Sequence, residues 1–215
     1  LSSTTTSWQV TPALTSGSYA CQLKAVDNLG LVSTITTFTL NIDTTDPLIT
    51  SVTSSSHSSS IWSNSNSVSA AAVSTDADAG VDEIYFLLSS ASSGVSASSI
   101  ISAGHDFTCS ATSTCSASYT LFSPINVSGT YYIWAVSRDD ARNVNGSPLG
   151  VGSNNTATPV RSNGLLIDLV APWMTSPPSV QGLVNGYLGS GTVSINLGSA
   201  SDQMPGSGMS EFRFY

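Results

Sequence analysis

Gly129-Thr-Tyr131-Tyr-Ile133-Trp-Ala135-Val-Ser137-Arg-Asp139 restates, at the same spacing, Gly17-Ser-Tyr19-Ala-Cys21-Gln-Leu23-Lys-Ala25-Val-Asp27. Gly, Tyr and Asp recur in identical places, with an apolar residue two after each Tyr. In the later copy Tyr131, Ile133, Ala135, Ser137 and Asp139 form one face, and Tyr132, Trp134 and Val136 the other. A β-branched and aromatic run between a Gly and a charged turn predicts a strand covered on both faces. Because the pattern repeats, the chain is expected to consist of repeated β units.

The polar residues support that class. Only 8% of the 215 residues are charged while 40% are hydrophobic, so Ser and Thr supply most of the polar surface. These residues suit strands and turns, whereas the strong surface-helix formers Glu, Lys and Arg are scarce. The expected fold class is all-β. Thirteen acids against five bases give a net charge of −8. Nucleic-acid binding needs Lys and Arg clusters to neutralise phosphates, and none occurs here. An anionic membrane surface is disfavoured for the same reason. No apolar run approaches the ~18 residues of a membrane helix, so no membrane insertion is expected. With no signal peptide and no initiator Met, the chain reads as processed or as a piece of a longer one.

Two linkers divide the chain. Asp43-Thr-Thr-Asp46-Pro47 follows an alternating strand at Ser33–Ile42, and Asp168-Leu-Val-Ala-Pro172 follows one at Gly164–Asp168. Proline ends a strand and stiffens the connection. The expected units are residues 1–46 (the end of one domain), 47–171 (a whole domain) and 172–215 (the start of another). Within the first lies a weak strand signal at Trp8–Val10. The period from Pro47 to Pro172 is 125 residues, acceptable for a sandwich with an irregular insertion at 138–161. In the third unit, Gly191–Leu197 aligns with Ser67–Val73, Ser199–Gly208 reads as the acidic turn, and Ser210–Tyr215 matches Asp82–Leu87. Cys109 and Cys115 flank a Ser/Thr turn between two short strand-like segments. Their reading is a disulfide stapling a hairpin, with two reduced thiols as the alternative; the spacing fits no common zinc pattern. A disulfide would imply an oxidising, extracytoplasmic setting.

The order Gly-x-Tyr…Asp, turn, alternating strand, Asp-x-x-x-Pro resembles the tandem immunoglobulin-like repeats of bacterial surface proteins and adhesins. That resemblance implies tandem immunoglobulin-like β-sandwiches, with Tyr19 and Tyr131 as tyrosine-corner residues and Pro47 and Pro172 as joint residues. It places Cys21 where such a sandwich carries its inter-sheet cysteine; Ile133 replaces it in the middle unit. Cys21 then has either a partner upstream or a role as a small buried hydrophobe. The resemblance also gathers acids at one pole of the middle unit: Asp43 and Asp46 from the linker, Asp76 and Asp78 from the B–C loop, Asp139 and Asp140 from the F–G loop. Asp168 and Asp202 repeat the scheme in the third unit. Carboxylates at a joint are what Ca²⁺ requires, and a bound ion would stiffen it; the alternative is that Asp simply caps turns.

No catalytic constellation is expected. His57 and His105 are isolated, no Gly-x-Ser-x-Gly elbow occurs, and the adjacent acids Asp82-Glu83 and Asp139-Asp140 read as loop or edge charges. Trp62, Trp134, Tyr132 and Tyr85 read as packing rather than a sugar platform, and Asn126, Asn145 and Asn154 open chance sequons. The expected function is a non-catalytic stalk of an extracellular or bacterial cell-surface adhesin or fibre. Its partners are neighbouring immunoglobulin-like domains of the same chain or of identical chains, with any ligand at a distal tip. Two alternatives are a head-to-tail filament completed by strand exchange and a carbohydrate-binding module.

Overall fold

The computed structural model describes residues 14–121, 125–142, 154–156, 158–189 and 191–213. The expected strand at Trp8–Val10 and the sequon at Asn145 lie outside the described residues. The fold is all-β. Strands β1 (Gly17–Leu23) and β2 (Thr36–Ile42) form a two-stranded antiparallel sheet of their own. The middle unit is a sandwich. One sheet holds β3 (Leu48–Ser54), β4 (Val68–Thr75) and β7 (Thr114–Leu121) in the order β3-β4-β7. The other holds β5 (Val81–Ser89), β6 (His105–Thr112), β8 (Gly129–Arg142), β9 (Asn154–Thr156), β10 (Val160–Arg161) and β11 (Leu165–Ile167). In that sheet β8 lies between β5 on one side and β9, β10 and β11 on the other, and β6 pairs with β5. First, second and fifth strands thus face a sheet built around the long sixth, an immunoglobulin-like arrangement.

The inner faces explain why these segments pair as they do. Strand β4 alternates, burying Val68, Ala70, Ala72 and Ser74 while the residues between are half-exposed. Ile133, Ala135, Ser137 and Asp139 of β8 face them from the other sheet, beside Val81, Ile84 and Phe86 of β5. The opposite face of β8 is covered too, as its aromatic residues predict. Helix α1 (Ala97–Ala103) lies over it with Ile100 fully buried, and Trp134 Nε1 donates to the Ala91 carbonyl at 3.0 Å. Ser96 caps the helix by accepting from the Ser99 amide.

Three expectations change. Cys109 and Cys115 are disulfide-bonded, but they do not staple a paired hairpin. Strand β6 pairs with β5 and β7 with β4, so the bond ties the two sheets together where the chain crosses between them. The cause is local: Ser110 and Ala111 take left-handed φ values of 62° and 53°, a bulge that turns the chain out of one sheet into the other. In the third unit, β12 (Trp173–Ser176) pairs with β15 (Ser199–Ser201), and β13 (Ser179–Gln181) with β14 (Ser194–Asn196). The counterpart of β4 is therefore Ser199–Ser201 rather than the Gly191–Leu197 segment, and the acidic turn begins only at Asp202. Gly198 (φ +77°) makes the break, in a place where a Cβ would sit 2.3 Å from the Ser176 carbonyl oxygen. Residues 210–213, expected to match Asp82–Leu87, are not strand.

Candidate functional site

The joint between β2 and β3 and the joint between β11 and β12 are built from the same parts. Gly17 pairs with Ile42, and Gly129 with Ile167. Tyr19 Oη donates to the Thr15 carbonyl, and Tyr131 Oη to the Val127 carbonyl, both at 2.9 Å. This reach to a backbone oxygen four residues upstream is the tyrosine corner. Ser16 Oγ accepts from the Thr44 amide (2.9 Å) and Ser128 Oγ from the Leu169 amide (2.8 Å), clamping each linker as it leaves its strand. Beyond the linkers, Leu48 pairs with Thr75 and Trp173 with Ser201. A bulge at Thr50 is matched by one at Thr175. Pro47 is buried in the first joint and Pro172 is exposed in the second.

The correspondence makes Asp43 the counterpart of Asp168, and Asp76 that of Asp202. Both linker carboxylates are held alike. Asp43 Oδ1 accepts from the Thr45 amide (2.8 Å) and hydroxyl (2.6 Å), and Oδ2 from the Ala79 amide (2.9 Å). Burial by itself would raise this carboxyl, but those hydrogen bonds outweigh it and hold Asp43 below the ordinary carboxylate value. Asp168 Oδ2 accepts from the Ser207 amide (2.7 Å), and Oδ1 from Ser128 Oγ (3.1 Å) and the Val170 amide (3.2 Å). The Ser207 amide is the leading reason that Asp168 is lowered to about 2.

At the first joint three carboxylates converge. The inward row of β4 passes from Ala72 through Ser74 to Asp76, and that of β8 from Ala135 through Ser137 to Asp139, so the core becomes polar toward the pole. Ser74 Oγ donates to Ser137 Oγ at 2.7 Å, and one pleat further Asp76 and Asp139 face each other at the linker. One oxygen each from Asp43, Asp76 and Asp139 lies within 4.8 Å of the other two. Asp76 is 7% exposed and Asp139 fully buried. Asp76 Oδ1 accepts from the Asp78 amide (2.9 Å), whereas Oδ2 is buried without a hydrogen-bond partner. A cleft of about 480 Å³ beside the linker, lined in part by Asp43, Asp78 and Asp140, opens the joint to solvent.

Of the six acids singled out at this pole, the fold brings together Asp43, Asp76 and Asp139. Asp46, Asp78 and Asp140 are exposed and outside that group. Thr45 Oγ stands 3.2 Å from Asp78 Oδ2, and the Asp140 amide donates to the Gly80 carbonyl. Sequence reasoning passed over Ser16, Ser128, Ser74 and Ser137, which are inconspicuous in a Ser-rich chain. The other singled-out residues have structural surroundings. His57 Nε2 lies 2.9 Å from the Ser65 carbonyl and must donate to it, which leaves Nδ1 to accept from Ser56. His105 stacks on Tyr119. Trp134 and Tyr85 are buried, and Arg161 lies over the Tyr132 ring, so Trp62, Trp134, Tyr132 and Tyr85 form no exposed coplanar platform. Cys21 is a half-buried free thiol. Among the described residues no helix is long and apolar enough to cross a membrane. No protein-family model and no curated protein matches the chain.

Proposed function

We propose that the chain is a non-catalytic structural spacer, a segment of an extracellular array in which immunoglobulin-like units are joined end to end by stiff joints. The observation that carries this reading is the duplication of the joint, residue for residue: Ser-Gly-x-Tyr at the start of one strand, Ile-Asp at the end of its partner, then a bulged strand of the next unit. A surface whose work is recognition would vary between units. Here the part that is kept is the part that fixes one unit against the next. The two joints lie at opposite ends of β8, Ser128 at one and Asp139 at the other, so at a strand rise of ~3.3 Å each unit adds roughly 36 Å of reach. The inter-sheet disulfide suits an oxidising setting outside the cell, and a bacterial cell surface is the placement we propose.

One observation favours a second reading, a filament of identical chains. The first and third units carry exposed apolar side chains, Phe38 (53% exposed), Leu23, Ile195 and Phe212 among them. Residues homologous to their partners in the middle unit cover them, either from a longer chain or from a second copy. Intact mass and electron microscopy of the native protein separate the readings. Rods of a single heavy chain, lengthening in equal steps near 36 Å per unit, support the spacer. Long fibres of a chain near 22.1 kDa would replace it with the filament, and compact particles would refute both.

A further inference from the structure

We infer that Asp43, Asp76 and Asp139 form one divalent-cation site suited to Ca²⁺, and that the matching position of the second joint is closed by the chain's own amides instead. This assignment stands independently of the spacer proposal. Oxygens sharing a calcium ion at about 2.4 Å can stand no more than about 4.8 Å apart. The three carboxylates meet that condition. They reach it from three different segments: Asp43 from the linker, Asp76 from the end of β4 and Asp139 from the inward row of β8. Gathering three like charges in a pocket where two are more than nine-tenths buried is costly without a counter-charge. Asp76 Oδ2 makes the need specific, because a buried carboxylate oxygen with no donor forgoes hydration and receives nothing in return. Asp43 is held by donors on both oxygens, and each oxygen keeps a further lone pair for an ion. The donors are hard oxygens throughout. A buried, protein-walled set of this kind suits Ca²⁺ better than Mg²⁺, which dehydrates reluctantly.

The second joint starts from the same positions and solves the problem differently. Asp202 Oδ1 accepts from the Gln203 amide (2.9 Å) and Oδ2 from the Gly208 amide (2.7 Å), while Asp168 takes the Ser207 amide. A Cβ at Gly206 would stand 3.2 Å from both Asp168 Oδ2 and Asp202 Oδ2, so the 203–208 turn sits against both carboxylates and feeds them N–H groups. Where Asp76 leaves an oxygen bare, Asp202 leaves none, and among the described residues no third carboxylate joins Asp168 and Asp202. One joint is therefore cation-dependent and the other is not.

The test is calcium titration calorimetry on the purified 215-residue chain stripped with EGTA, with Tb³⁺ luminescence as a second probe. The expected result is one Ca²⁺ per chain, saturating at about 1 mM or below, in the range of extracellular calcium modules. Asp76→Asn lowers the affinity at least tenfold, and Asp202→Asn leaves stoichiometry and affinity within about twofold. Circular dichroism checks that each variant is folded, and Asp43→Asn, at the less buried member, repeats the test should Asp76→Asn fail to fold. No binding at millimolar Ca²⁺, binding unaffected by both Asp76→Asn and Asp43→Asn, or a second ion lost in Asp202→Asn would each overturn the assignment.

Discussion

Ser74 and Ser137 hold the two sheets of the middle unit together by a single buried hydrogen bond. Both are fully buried; Ser74 Oγ donates to Ser137 Oγ at 2.7 Å, with the Leu48 carbonyl oxygen 3.2 Å from the same hydroxyl. Replacing either by Ala removes few apolar contacts, so the cost is dominated by the polar group left behind. A stranded buried hydroxyl costs roughly 1–3 kcal/mol. Ser74→Ala takes away the donor to Ser137 and the hydroxyl beside Leu48, and about 2 kcal/mol is expected. Ser137→Ala leaves Ser74 free to turn to the Leu48 carbonyl, and about 1 kcal/mol is expected. The double variant removes both polar groups, so its cost should stay near that of Ser74→Ala, about 1 kcal/mol short of additivity. Urea unfolding followed by fluorescence of the buried Trp134 measures all three variants against the parent. A loss of ~2 kcal/mol should also appear as a Tm lower by several degrees. Costs that add within about 0.5 kcal/mol, or Ser137→Ala worse than Ser74→Ala, would refute the account of this bond.

Gly80 (φ +81°) would place a Cβ 2.7 Å from the Ala111 carbonyl carbon and oxygen, whereas Gly94 (φ +75°) meets nothing within 4 Å. Gly94→Ala should cost about 1 kcal/mol for the left-handed backbone alone. Gly80→Ala should cost at least twice that, because the Ser110–Ala111 bulge must move. Equal urea midpoints would refute the steric reading. Asp168 is lowered to about 2 in the folded joint, against 3.8 for an unperturbed Asp. A depressed folded value adds stability that is present above the unfolded value and is lost as pH falls from about 4 toward 2. The Ser207 amide, which Asp168 accepts, should exchange with solvent faster across that window, and Asp168→Asn should abolish the pH dependence. An NMR titration placing Asp168 near 3.8 would remove the basis for this prediction.

Strand β8 was legible because Tyr131, Ile133, Ala135, Ser137 and Asp139 alternate with aromatic and β-branched residues, and both faces proved to be covered. The linkers and the tyrosine pair were legible as a repeat. The division among the acids was also present as parity, although it was not used. Asp76 falls in step with Ala72 and Ser74, and Asp139 with Ala135 and Ser137, so they point inward while Asp78 and Asp140 do not share their surroundings. What could not be read is the crossing of the chain between sheets at Ser110 and Ala111. Neither residue favours a left-handed backbone, and the tertiary structure imposes it. The Ser partners of the linkers were hidden for another reason: Ser16 and Ser128 look like any other Ser until their hydroxyls are seen to meet Thr44 and Leu169.

The register of the outer strands has a mechanical consequence. Tension passing through the middle unit enters at Leu48, opposite Thr75, and leaves at Ile167, opposite Gly129. Each terminal strand is thus pulled along its own axis, across ladder bonds that run perpendicular to it. The bonds of β3 to β4 and of β11 to β8 share the load instead of parting one after another as a zipper does. The Cys109–Cys115 bond lies outside both load-bearing ladders and spans a separation of only 6 residues. Once the strands slip, it withholds only about 20 Å of contour length. The unit is built to resist extension at its ends and, if overloaded, to pay out nearly its whole chain.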